Sequence, residues 1–320
     1  MSVLYYEPLV LEIAAEDDGK TVRTVLERRL GVSRKLMSRL KLTEHGLTLN
    51  GKRVFTNERV KAGDCLALRM EQEQSDDILP EPMPLDIVYE DRELLIINKL
   101  PGIIVHPTHG HYTGTLANGV VHHWLQQGEI VRFRPIHRLD EETSGLVAIA
   151  KNPYVHQQLS EQMQAGEVDK RYRAFVYQTL HPLSGTVNEP IDRSPDEPHR
   201  RMVLPDGYPS VTRYETEAVY GDGSASKIKL KLETGRTHQI RVHMKHMGCP
   251  LIGDKLYGYA SEPGISGGSP VLEAAVERQA LHAAVLGFTH PMTRKYMEFE
   301  AALPQDLQRL EKLLLAGQRQ

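Results

Sequence analysis

Val22, Val25, Leu26 and Leu30 recur at the three- and four-residue spacing of a helix, Gly31 interrupts them, and Leu36, Met37 and Leu40 resume the pattern behind Ser33. Two short amphipathic helices are expected there, the second capped by the Ser33 hydroxyl. The period then changes. LTLNGKRVFTNERVKAGDCLALRM alternates as strands do, around the Asn50-Gly51 turn signal and again at Gly63-Asp64. After Met70 the run EQEQSDDILPEPMPL is acidic, then proline-rich, and follows neither period. It is expected to connect two units. Beyond it, strand-like runs such as IVYEDRELLIINK, SGLVAIAK, KRYRAFVYQTL, KIKLKLE and KYMEFEA are interspersed with helical ones such as NPYVHQQLSEQMQAG and VLEAAVERQ. This mixed order favours an α+β domain over a doubly wound parallel sheet. The expected division is a small unit at 1–74, a linker at 75–82, a large unit at 83–306 and a C-terminal helix or tail at 307–320.

Composition adds constraints. A chain of 320 residues, 40% hydrophobic and 25% charged, is globular and long enough for two domains. No stretch approaches the apolar length of a membrane helix, and the N-terminal segment has no basic leader ahead of its apolar residues. Cys65 and Cys249 lie far apart, which argues against a disulfide framework and for the cytoplasm. The net charge of −3, taken alone, disfavours a nucleic-acid partner. Its distribution reverses that impression. Between Lys20 and Lys41 eight bases face the single acid Glu27, a local +7, so the remainder carries −10. On amphipathic helices such charge is either a solvated face or a grip on phosphates.

The densest polar chemistry is PIHRLDEETSGL, which runs directly into the apolar stretch Val147 to Ala150. Asp140 there could be a carboxylate held rigidly by neighbouring donors, or an Asx-type turn entering a strand. HRLDEETSGL closely resembles the signature of the RluA-like RNA pseudouridine synthases. Further segments follow in that family's order: VYEDRELLIINKLPGIIVHP, DKRYRAFV, LETGRTHQIRVHMKHMGCPLIGDKLYG and LHAAVLGFTHPMTRKYMEFEAALP. The resemblance spans about Met83 to Pro304. One departure is the displaced proline in Lys99-Leu100-Pro101-Gly102. The basic helices and hairpin resemble, more loosely, the alpha-L RNA-binding motif of ribosomal small-subunit protein four, which implies RNA contacts for Arg34, Lys35 and Arg39.

The resemblance implies an isomerase that detaches uracil from ribose C1′ at N1 and rejoins it at C5. It implies a pseudouridine synthase fold, with a central mixed, mainly antiparallel sheet flanked by helices, behind a small RNA-binding domain. No cofactor and no metal are required. Asp140 is the implied catalytic carboxylate, Arg241 its cationic partner, and Tyr172 the ring that packs on the target base. Arg138 is implied to contact RNA and enter the space near the extruded base, and His137, Thr143 and Ile240 lie with it on the substrate side. RNA is the implied partner, with ribosomal RNA favoured over transfer RNA.

Other functions remain open from the residues alone. His106, His109, His111, His122 and His123 invite a metal site, but none forms a helical ligand pair. Gly264-Ile265-Ser266-Gly267-Gly268 satisfies G-x-S-x-G, yet a poor strand precedes it, so a mobile loop is expected. A transfer-RNA-specific synthase, or an RNA-binding or ribosome-assembly protein without catalysis, would carry the same basic segment.

Overall fold

The computed structural model describes residues 4–259 and 268–317. The G-x-S-x-G segment therefore lies almost wholly outside the described residues. The N-terminal unit comprises β1 (Leu9–Glu12), α1 (Val22–Leu30), α2 (Arg34–Leu40), β2 (Leu47–Leu49), β3 (Lys52–Arg53) and β4 (Cys65–Leu68). Its strands form an antiparallel sheet in the order β1-β4-β2-β3. Both helices start where capping chemistry permits. Thr21 accepts the Thr24 N–H ahead of α1, and Ser33 accepts the Leu36 N–H ahead of α2. Gly31 closes α1 at φ 62°, a left-handed conformation that suits glycine.

The buried faces of α1 and α2 pack with Leu47, Leu66 and Leu68, but that core continues into the second unit. Leu94, Ile96, Leu146, Ala148, Tyr154 and Val155 belong to the same cluster. Polar contacts lock the seam: Tyr154 Oη donates to the Leu30 carbonyl at 2.8 Å, and Ser33 N–H donates to Gln157 Oε1 at 3.0 Å. The segment between the units is packed as well. Ile78 is buried in the large unit's core, and Ser75 Oγ accepts the Phe133 N–H at 2.8 Å. Its acidity has a local use, because Glu73 meets Arg39, Arg132 and Arg134.

The large unit adds β5 (Ile87–Glu90), β6 (Leu94–Lys99), α3 (Leu116–Gln126), β7 (Arg134–Pro135), β8 (Ser144–Ala150), α4 (Pro153–Gln164) and β9 (Asp169–Tyr177). It continues with β10 (Ser184–Asn188), β11 (Ile191–Arg193), β12 (Arg201–Val203), β13 (Val211–Tyr220), β14 (Ala225–Leu232) and α5 (Gln239–His246). It ends with α6 (Pro270–Ala275), β15 (Leu281–Thr289), β16 (Tyr296–Glu300) and α7 (Gln305–Gly317). Eight strands run in the order β10-β13-β14-β9-β15-β8-β6-β5, with β16 on β15 and β7 on β8. Among the described residues only β15 and β8 pair in parallel, so the sheet is mixed and mainly antiparallel, as the resemblance implied. The expected helix over VLEAAVERQ is shorter, since Val276 is already extended.

The apolar runs of β6 and β8 follow from burial on both faces. Leu95, Ile97, Val147 and Ile149 enter one core, with Trp124 and Tyr172. Leu94, Ile96, Leu146 and Ala148 enter the other, beneath the N-terminal helices. The small unit thus covers one face of the sheet and leaves the other to the cavity described below. Among the described residues no helix is long and apolar enough to cross a membrane.

Histidine burial sets an acid limit on stability. Burial pushes the pKa values of His137, His156, His238, His243 and His282 down, that of His137 to about 4. Below about pH 6.5 the unfolded chain then binds more protons than the folded one, so stability rises with pH through this window. Urea midpoints are expected to fall progressively between pH 7 and pH 5. A flat profile over that range would contradict the assignment of neutral, buried imidazoles.

Candidate active site

Asp140 lies on the loop between β7 and β8. Thr143 N–H donates to the main-chain oxygen of Asp140 at 3.0 Å, so the turn is closed by backbone and the carboxylate is left unspent. This differs from the Asx-type alternative. Gly145 follows at φ 117°, where a Cβ would stand 2.3 Å from the Ala283 carbonyl. The chain can enter β8 beside β15 only with glycine there.

Several donors hold the loop from below. Lys99 is 1% exposed, and its ammonium donates to the carbonyls of Leu100, Ile103 and Glu141 at 2.8–2.9 Å. Burial, then the nearby Arg278 charge, pushes its pKa down to about 7. Gly102 N–H also donates to Glu141 O, so the turn with the displaced proline docks on the loop that carries Asp140. Arg278 donates to Glu142 O at 2.9 Å and to Ser144 Oγ at 3.2 Å, while Asp306 at the start of α7 receives its Nε and Nη2.

Arg241 approaches from α5 and donates Nη1–H to Asp140 Oδ2 at 3.1 Å. Its other edge is bidentate on Asp254, at 2.7 and 2.8 Å. Burial alone would lower the guanidinium pKa, but hydrogen bonds and charge from Asp254, then Asp140, reverse this and raise it. Arg241 is consequently a permanent cation shared by two carboxylates. Asp254 also accepts the N–H groups of Leu256 and Tyr257 at 2.9 and 3.0 Å. The Tyr257 ring lies 4.9 Å from the guanidinium carbon. His238 Nε2 stands 3.9 Å from Asp140 Oδ2, and its Nδ1 meets Tyr257 Oη at 2.8 Å. His238 adopts φ 58°, a rare conformation for a non-glycine residue, immediately before α5.

Asp140, Arg241 and His238 open onto a cavity of about 840 Å³. Asp140 is 26% exposed to it at the side chain. Tyr172, Arg138, His137, Thr143, Ile240 and Arg241 also line it. Tyr172 and Ile240 are buried members of the adjoining core, and burial, with the nearby Asp140 charge, raises the tyrosine pKa. His137 donates Nε2–H to the Leu146 carbonyl at 3.1 Å, which anchors the loop to β8. Thr143 Oγ1 accepts Gln279 Nε2–H at 3.3 Å. Arg138 is exposed at the rim.

The basic helices are only partly free. Arg34 and Lys35 are exposed and have no ion-pair partner among the described residues. Arg39 is exposed as well, and Glu73 engages its guanidinium. Lys20 and Arg29 are likewise held by Asp17. Among the described residues no cluster of three or more His, Cys, Asp or Glu side chains could hold a metal ion. His123, one of the candidates for such a site, pairs with Glu90.

Sequence reasoning missed Asp254, His238, Tyr257, Lys99 and Arg278. Asp254 and His238 stand inside strings that carry the resemblance, but only the fold reveals which neighbours they support. Lys99 had a signal: a lysine ending the apolar run LLIIN must be either exposed or saturated.

Comparison with known proteins identifies the family. Residues 93–246 match the RNA pseudouridylate synthase family, and residues 9–66 match the RluD ribosomal pseudouridine synthase N-terminal domain. The uncharacterized RNA pseudouridine synthase YjbO of Bacillus subtilis is 40% identical over 284 residues, which cover 88% of this chain and 95% of that protein. Ribosomal large subunit pseudouridine synthase D of Escherichia coli K12 is 38% identical, covering 81% and 79%. Human RNA pseudouridylate synthase domain containing 4 shares the fold at TM-score 0.57 and 23% identity, over 72% of this chain and 92% of that one. At 40% identity over nearly its whole length, the chain belongs to the RluA-like RNA pseudouridine synthases, isomerases that convert uridine in RNA to pseudouridine.

Proposed function

We propose that the chain modifies a uridine of large-subunit ribosomal RNA in the cytoplasm, with Asp140 as the catalytic carboxylate. The observation that carries the catalytic part is the partly exposed Asp140 carboxylate on the cavity wall, paired with an Arg241 whose charge is already fixed by Asp254. A carboxylate in a closing site tends to protonate through desolvation, and a permanent neighbouring cation opposes this. The ribosomal target is supported by the names of relatives and of the N-terminal match.

The isomerisation exchanges the C1′–N1 bond for C1′–C5. C5 loses one proton and N1 gains one, so no electrons are transferred and no cofactor is consumed. The cavity admits a base only after it leaves the RNA stack, which costs a few kcal/mol. Stacking on Tyr172 returns about 1–3 kcal/mol. Arg138, exposed at the rim, is placed to fill the position the base vacates, and His137, Thr143 and Ile240 shape the wall around it. The division of labour follows the division of the chain: residues 1–74 grip RNA, 75–82 connect and 83–306 perform chemistry, with Asp306, where α7 begins, buttressing the loop through Arg278.

Sequencing of carbodiimide-treated RNA from a deletion strain tests the target. One or more pseudouridines should vanish from large-subunit ribosomal RNA and return with the wild-type gene. Loss confined to transfer RNA would overturn the ribosomal assignment.

The N-terminal role has its own test. Deletion would uncover Leu94, Ile96, Leu146 and Ala148, so charge reversal is the cleaner perturbation. Arg34→Glu with Lys35→Glu should weaken RNA binding and flatten the plot of log affinity against log salt by up to about 0.9 per lost phosphate contact. An unchanged slope in filter binding would mean that the two side chains form only a solvated face.

A further inference from the structure

The large unit buries two lysines near the catalytic loop, and they are treated differently. Lys99 saturates its ammonium with three carbonyl oxygens. Lys170, 9% exposed on β9, has no hydrogen bond or ion pair among the described residues. Its strand neighbours do not supply one. Asp169, on the opposite face, is occupied by Arg171 and Lys231 at 3.0 and 2.9 Å.

The position of Lys170 is set by strand alternation, which places it on the same face as Tyr172, two residues on. Both line the cavity that holds Asp140. A Cβ placed on Gly235 would lie 3.6 Å from Lys170 Nζ, so the ammonium rests against the loop that leads into α5. Burial alone acts on its pKa, pushing it below the ordinary lysine value. A largely buried ammonium with no protein acceptor, open only to the cavity, costs stability. Methionine would fill similar space at no such cost.

We propose that Lys170 is a further catalytic residue, whose ammonium donates to a carbonyl oxygen of the extruded uracil and stabilises the base as it separates from the ribose. The proposal rests on the isomerase reading of the cavity. Heterolysis of C1′–N1 leaves the bonding pair on the base, spread over N1, O2, O4 and C5. C5 then bonds to C1′ and releases its proton, while N1 takes one up. Lys170 remains protonated throughout. A donor fixed near O2 or O4 binds the anion more strongly than the neutral base, so it lowers the barrier instead of only tightening binding. A base carbonyl fits better than a backbone phosphate, because flipping brings the base into the pocket while the phosphodiester stays at its mouth.

The test uses the full-length protein and an in vitro transcript of large-subunit ribosomal RNA labelled with tritium at uridine C5. Lys170→Met should lower the single-turnover rate of tritium release on the order of 100-fold. RNA affinity should stay within about twofold of wild type, because the lost contact forms mainly with the anion. The melting temperature should rise, because methionine removes an unpaired buried charge. Lys170→Arg, which keeps the charge, should recover part of the rate. Three results would each overturn the proposal: a Lys170→Met rate within about threefold of wild type, a lowered melting temperature that marks a structural lysine, or weakened binding with a flatter salt slope that marks a phosphate contact. Wild-type protein inactive on this transcript would instead overturn the ribosomal reading, while the melting measurement still judges the lysine.

Discussion

Asp140→Asn and Asp140→Ala are each expected to abolish tritium release, with a loss above about 10⁴-fold, the scale on which removal of an essential reacting group acts elsewhere. The fold should survive both changes. Arg241 keeps its bidentate pair with Asp254, so loss of Asp140 does not leave an uncompensated buried charge. The turn also survives, since Thr143 bonds to the main chain of residue 140 and not to its carboxylate. RNA affinity should therefore remain near that of wild type in filter binding. Retained activity in the alanine variant would remove Asp140 from the chemistry. A large fall in melting temperature would instead show that the carboxylate is structural.

Much of this architecture was legible in the chain. The spacing of Val22, Val25 and Leu26, with Gly31 and Ser33 as punctuation, specified two helices because periodicity and capping are local properties. The Asp140 loop was legible as a polar string against an apolar strand. Its three-dimensional role was not. Arg241 lies 101 residues from Asp140, and only the return of β14 into α5 brings the two within 3.1 Å. The basic segment shows the same limit. Counting charges gave +7 but could not reveal that Glu73 occupies Arg39 or that Asp17 holds Lys20 and Arg29. The seam between the units was hidden for a related reason. A strand buried on both faces reads as a plain apolar run, whichever partner covers it, so β6 and β8 did not announce that the small unit completes their outer layer.

Asp254 separates structural support from chemistry most sharply, and its replacement should cost both. Its carboxylate is fully buried and accepts two bonds from Arg241 and two from the backbone N–H groups of Leu256 and Tyr257. Asp254→Ala leaves the guanidinium buried with two of its three hydrogen bonds lost, and breaking such a pair costs about 3–5 kcal/mol. At about 2–4 °C per kcal/mol in larger domains, the melting temperature should fall on the order of 10 °C. Activity should fall too, by about 100-fold in the protein that remains folded, because Arg241 no longer holds Asp140 from a fixed direction. Asp254→Asn should not rescue either property, since its amide turns donors toward the guanidinium or sacrifices one of the two parallel bonds. The contrast with Asp140→Ala is diagnostic. If one carboxylate reacts and the other positions the shared arginine, the first substitution removes activity while preserving stability, and the second lowers both. Equal melting temperatures for the two alanine variants would contradict that division, because it requires Arg241 to depend on Asp254 far more than on Asp140.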